Sequence, residues 1–175
     1  MVLSRFDAYL TENGLAFDGI LIGGAALCLL GVISRPTKDC DVLFPSLPPS
    51  VLAAAASFAK LMSDAGCALQ SDWLNNGPAS LAPQLPPGWE DRVQPLFTGK
   101  ALRLHTLGRL DLLRSKLFAL CDRGLDLPDC VALNPTPTEL AELLPWLELQ
   151  DGNPDWPAHV RSTVSDLTTR LGHVI

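Results

Sequence analysis

The sequence predicts an α+β fold of the mixed α/β kind: a short mixed sheet flanked by helices, with a helical C-terminal tail. Three observations carry this. A short apolar run, Gly19-Ile-Leu-Ile22, meets Gly23-Gly24 and then an alanine- and leucine-rich stretch, the pattern of a strand entering a helix. More short apolar runs follow, separated by turn residues, up to about residue 107. After that point apolar residues recur at helical spacing only.

The elements follow in order. Val2, Leu3, Phe6, Tyr9 and Leu10 share one helical face, and Asn13-Gly14 closes that helix. Gly19–Ile22 reads as a buried strand and Ala25–Ile33 as a helix. Lys38–Phe44 is the second strand, and the proline-rich 45–49 segment is a loop. Val51–Ala65 is a helix stopped by Gly66, with a third strand predicted over Cys67–Gln70. Asn75–Gly88 is rich in proline and poor in charge, which predicts a connecting loop bordering a cleft. Arg92–Phe97 and Ala101–Leu107 form a predicted hairpin around Thr98-Gly99-Lys100. Leu110–Leu120 is a helix with apolar residues at 110, 113, 117 and 120, and Leu125–Leu133 is a shorter one. Thr136-Pro137-Thr138-Glu139 has N-cap, first-turn proline and capping-box glutamate in the right places to start another. Val160–Leu171 is the last. The predicted organisation is a core over residues 1–133 and a helical extension over 134–175 packed on it, one domain overall.

Composition narrows the function. The chain has 175 residues, 47% hydrophobic and 18% charged, enough to bury a core and too apolar for a disordered tail. Net charge is −6 and the pI about 4.9, with no stretch rich in Lys or Arg. A large electrostatic nucleic-acid face is therefore not expected, whereas a local phosphate pocket is compatible. The 5 cysteines form no CxxC pair, which argues against a zinc knuckle or disulfide framework and for small buried hydrophobes. Residues 1–18 lack the apolar core of a signal peptide, and the apolar run 19–33 is broken by glycines and short of a bilayer span. A soluble, cytoplasmic protein without membrane contact is expected.

One stretch carries chemistry. Gly23-Gly24 lies between a strand and a helix, where backbone N–H groups can meet a phosphate. Arg35-Pro-Thr37-Lys-Asp39-Cys-Asp41 follows, and strand alternation puts Asp39 and Asp41 on one face. Two carboxylates side by side call for a cation, and oxygen-only ligands favour Mg²⁺ or Mn²⁺. A Gly-Gly turn or an Asp-x-Asp pair alone is more often structural. Joined on adjacent elements, they point to nucleotide phosphate chemistry.

This constellation resembles the minimal nucleotidyltransferases of the polymerase-beta type. The Arg35-x-Thr37-x-Asp39-x-Asp41 form is similar to the branch related to abortive-infection type II toxin nucleotidyltransferases of bacteria. So is the downstream segment from Leu110 through Ser115-Lys116-Leu117 to Arg123, Asp126 and Asp129. The resemblance implies Asp39 and Asp41 as ligands of Mg²⁺ (or Mn²⁺) and as catalytic residues. It implies Gly23, Gly24, Arg35 and Thr37 as contacts of an NTP substrate. Lys116 would face the nucleotide phosphates, and Asp126 would be an acidic or structural partner in the site. It implies transfer of a nucleoside monophosphate to an RNA (tRNA among them), a protein or a small molecule, in a toxin–antitoxin or phage-defence setting with a cognate antitoxin or toxin as partner.

The sequence departs from the pattern at two points. The lysine expected before Asp126 is Leu125, and no third strand carboxylate stands out; the later strand offers Arg103 and His105. These departures keep open a second reading, a nucleotide-binding or protein-interaction module on the same fold without catalysis.

Overall fold

The computed structural model describes residues 2–173. Two compact units emerge, Met1–Gly108 and Arg109–Ile175. Their boundary falls at the start of a helix.

The first unit opens with α1 (Val2–Glu12), β1 (Phe17–Ile22), α2 (Gly23–Leu29), β2 (Cys40–Phe44) and α3 (Pro49–Asp64). It continues with β3 (Leu74–Asn75), two 3₁₀ turns (Ala79–Gln84 and Trp89–Arg92), β4 (Gln94–Thr98) and β5 (Leu102–Thr106). The strands form one mixed sheet in the order β3-β2-β1-β5-β4. β1 runs antiparallel to β2 and parallel to β5, β3 runs parallel to β2, and β4–β5 is the expected hairpin.

A core forms where α1 and α3 meet the sheet. Leu3, Phe6 and Leu10 of α1 and Val51, Ala55, Phe58 and Met62 of α3 pack with Phe17, Leu21, Val42, Leu102 and Leu104. Each fully buried Leu or Phe contributes about 1.5–3 kcal/mol. Trp73 lies inside this cluster, edge-on to Phe6 at 5.1 Å, with its indole N–H donating to Ala55 O at 3.1 Å. Asp7 of α1 pins the hairpin: its Oδ1 accepts from the backbone N–H of Ala101 and Leu102, each at 2.8 Å.

The third strand is a correction. Cys67–Gln70 is not a strand; β3 starts four residues past its end, at Leu74–Asn75. Burial of Trp73 sets this, because the backbone beside that anchor reaches β2: Cys40 N–H donates to Trp73 O at 2.5 Å. The buried-cysteine expectation holds only for Cys121 and Cys130; Cys40 and Cys67 are half-buried and Cys28 is exposed.

The second unit holds α4 (Arg109–Arg123), α5 (Leu127–Leu133), α6 (Pro137–Leu147) and α7 (Trp156–Arg170). α4 packs against each of the other three. Asn134 ends α5 in the left-handed region, at φ 46°. α6 starts at the predicted capping box: Glu139 N–H donates to Thr136 Oγ1, and Thr136 N–H to Glu139 Oε2. Among the described residues no helix is long and apolar enough to cross a membrane.

Candidate active site

The site is built where β1 turns into α2. Ile22, the last residue of β1, is the strand partner of Asp41 on β2. The chain then turns through Gly23 at φ +78°, a conformation that disfavours any side chain. A Cβ at Gly23 would also sit 2.6 Å from Asp41 Oδ2. A Cβ at Gly24 would lie 2.9 Å from Thr37 Cγ2 and 3.7 Å from Arg35 Nη2. The two glycines are thus what lets the turn lie against Asp41, Thr37 and Arg35. Five of the predicted residues come together here.

Asp39 stands apart from them in one respect. The predicted strand began at Lys38, but β2 begins at Cys40, so Asp39 lies just ahead of it in an exposed segment. With Thr37 and Lys38 it lines a cavity of about 280 Å³ whose other walls include Leu3, Ala25, Leu29 and Trp73. Cys40 separates the two carboxylates. Burial, then the charges of Asp41 and Asp39, push its thiol up to about 12. It is no nucleophile at neutral pH, and the fields of both carboxylates converge on it.

The donor set fits a hard divalent cation. Asp41 Oδ2 faces the space that a Cβ at Gly23 would fill. Among the described residues no group of three His, Cys, Asp or Glu is arranged to hold a metal. Two carboxylates with the remaining positions left to phosphate oxygens and water is the usual Mg²⁺ arrangement in phosphoryl-transfer sites.

Lys116 and Asp126 lie in the second unit and meet each other. Lys116 Nζ donates to Asp126 Oδ1 at 2.8 Å and to Asp129 Oδ2 at 2.7 Å. Asp126 also accepts from Arg123 at 3.1 Å. Both the lysine and Asp129 are buried. Burial alone would lower the lysine pKa; the bonds to the two aspartates outweigh it and raise it. Leu125, in the place of the motif's lysine, is 78% exposed. On β5, His105 Nδ1 lies 3.3 Å from Asp18 Oδ1, and Arg103 reaches the same carboxylate at 3.8 Å.

Sequence reasoning missed one participant. Asn75 is the strand partner of Asp41 on β3, and its Nδ2 donates to Asp41 Oδ1 at 3.3 Å. The only signal was its place at the head of a proline-rich loop. Asp129 was within the quoted motif, but nothing local revealed that it shares Lys116.

A mixed sheet whose first strand turns through Gly-Gly against a carboxylate strand is the frame of a nucleotidyltransferase-like domain. The chain belongs to the family described as nucleotidyltransferase of unknown function (DUF6036), whose model matches residues 2–131. Among solved structures, the chain is similar to an antigenic nucleotidyltransferase-like protein from Paracoccidioides brasiliensis. The identity is 16% and the TM-score 0.48, over 97% of this chain and 86% of that one. No curated protein matches the chain.

Proposed function

We propose that the protein transfers a nucleoside monophosphate from an NTP to a hydroxyl acceptor with the help of Mg²⁺ or Mn²⁺, the functional core spanning residues 1–133. The observation that carries this reading is the close seat of the Gly23-Gly24 turn on Asp41 and Thr37. A turn stripped of side chains beside a carboxylate brings backbone N–H groups and a cation ligand to one place, as a triphosphate requires.

Asp39 and Asp41 would hold the metal. When bound, it would neutralise charge developing on the α-phosphate and on the departing pyrophosphate. Gly23 and Gly24 offer backbone donors to the outer phosphates. Thr37 and Arg35, which lie against Gly24, would add a hydroxyl and a guanidinium. In-line attack by the acceptor oxygen would form the new P–O bond and break the bond between the α-phosphorus and its bridging oxygen; pyrophosphate leaves and the hydroxyl proton passes to solvent. For Lys116 and Asp126 the reading is a fixed ion cluster; contact with a phosphate would require Lys116 to exchange a carboxylate for it.

The family description supports the transferase class. Membership of the abortive-infection branch, a tRNA or protein acceptor and a cognate partner rest on the Arg35–Asp41 and Leu110–Asp129 motifs; a cytoplasmic setting rests on the apolar patterning of residues 1–33. The second reading, nucleotide binding without catalysis, is favoured by Leu125 in the place of the motif's lysine and by the amide of Asn75, a group that is no base, beside Asp41.

The deciding experiment incubates the protein with Mn²⁺ or Mg²⁺, each α-labelled NTP, and tRNA or whole lysate. The Asp39→Ala/Asp41→Ala variant serves as control. Label should pass to an acceptor and fall at least about 100-fold in the variant. Metal-dependent NTP binding without transfer would select the second reading. Neither binding nor transfer would overturn both.

A further inference from the structure

We propose that Asn75 is a positioning residue of this site, holding one oxygen of Asp41 and, because it is an amide, leaving the metal two protein carboxylates instead of three. This rests on the reading of Asp41 as a metal ligand. β3 is two residues long, and its pairing with β2 sets Asn75 opposite Asp41. The amide is oriented from its other end. Asn75 Oδ1 accepts from the backbone N–H of Gly77 at 2.7 Å. A backbone N–H can only donate, so oxygen belongs at that end and the NH₂ turns to Asp41 Oδ1. Gly77 permits the turn: a Cβ there would lie 2.9 Å from Asn75 Oδ1.

The next residue repeats the device on the chain after Asp41. Asn76 Nδ2 donates to Val42 O at 3.2 Å, and Asn76 Oδ1 accepts from Leu47 N–H at 2.8 Å. Adjacent asparagines thus clasp β2 at the residue that carries the proposed ligand and at the one after it. With Oδ1 engaged, Asp41 presents Oδ2 to the Gly23 turn. Asn75 brings no negative charge and no proton-accepting group, so it takes no proton from the acceptor.

An aspartate at 75 has the same shape. It would keep the Gly77 bond and replace the donor facing Asp41 with an anion. Without a cation the two carboxylates repel; with one they become a three-oxygen set with Asp39. The experiment compares wild type, Asn75→Asp, Asn75→Ser and the swap Asp41→Asn/Asn75→Asp. It measures thermal unfolding in chelator and in Mn²⁺, and Mn²⁺ titration by electron paramagnetic resonance.

Asn75→Asp should lower Tm in chelator by about 2–4 °C and recover in Mn²⁺, with affinity for the ion about tenfold higher. Asn75→Ser, which introduces no charge, should bind Mn²⁺ about threefold more weakly, the effect of a lost neutral hydrogen bond. The swap rebuilds the donor–acceptor pair, so its Tm in chelator should exceed that of Asn75→Asp. A Tm loss in Asn75→Asp that is equal with and without Mn²⁺, at unchanged affinity, would reduce Asn75 to a structural residue and overturn the proposal. So would a swap no more stable than Asn75→Asp. If no form binds Mn²⁺ even with NTP, the metal reading of Asp41 fails, and the swap comparison alone still judges the clasp.

Discussion

Lys116 shows how burial decides what a single residue can do. Its ammonium has three donors, and two are spent on Asp126 and Asp129 at 2.8 and 2.7 Å. Removing it would leave the buried Asp129 carboxylate facing the half-buried Asp126 with no cation between them. Lys116→Met should therefore cost about 3–5 kcal/mol, read by urea unfolding. The pH record follows from the raised pKa. The folded protein holds this proton more tightly than the unfolded chain, whose value is near 10.5. The stabilisation is complete below that pH and is lost as pH rises through the folded value. The difference between wild type and variant should be level around neutrality and shrink above pH 10.5; a difference that shrank between pH 7 and 9 would contradict this origin. The sequence made Lys116 a candidate but could not show its surroundings. Its partners lie ten and thirteen residues on, and only the turn from α4 into α5 brings them to it.

Elements that are specified locally are the ones the sequence discloses. The start of α6 is such a case, since Thr136 and Glu139 satisfy each other's backbone within one turn. Arg109 of α4 then ties this cap to its own helix, Nε to Glu139 Oε1 at 2.6 Å. The Arg109 hydrogen bond, against burial and with help from Thr136, lowers the Glu139 carboxyl to about 2 from its usual 4.5. A depressed carboxylate stabilises above its unfolded pKa and loses that contribution as pH falls towards the folded one. Glu139→Gln should thus destabilise clearly at pH 6 and much less near pH 2, with urea unfolding as the measurement. Thr136→Ala should cost about 1 kcal/mol. β3 is the opposite case. Two residues carry no period, and its place depends on Trp73 entering a core built by α1 and α3. The strand-like Cys67–Gln70 sits beside it and misleads for the same reason. The Gly-Gly turn was legible because glycines and aspartates announce themselves in a sequence. The asparagine beside Asp41 was not, because it reaches that carboxylate only through the unforeseen strand pairing.

For the molecule as a whole, what matters is where the charge goes. Net −6 already disfavours a polyanion partner, and the ion pairs disfavour it further. In the second unit Arg109, Arg114, Lys116, Arg123 and Arg161 are each held by a carboxylate of the same unit. In the first, Arg103 shares Asp18 with His105, and Arg35 lies beside the Gly24 turn. Bases committed in this way release few counterions when a nucleic acid approaches. A protein that neutralises six to ten phosphates loses about 10³–10⁵ in affinity between 50 and 200 mM salt. Here tRNA binding, followed by fluorescence anisotropy over that range, should change by less than about tenfold, the response of one or two phosphate contacts. On the proposed reading NTP binding should persist across the same range, because its phosphates would be met by backbone donors and a metal ion and not by a field of lysines. A steep salt dependence for tRNA would mean that these pairs open to receive the RNA. An RNA acceptor would then be bound by an extended surface; a shallow one confines recognition to the Gly23-Gly24 turn and the residues against it, Thr37 and Asp41.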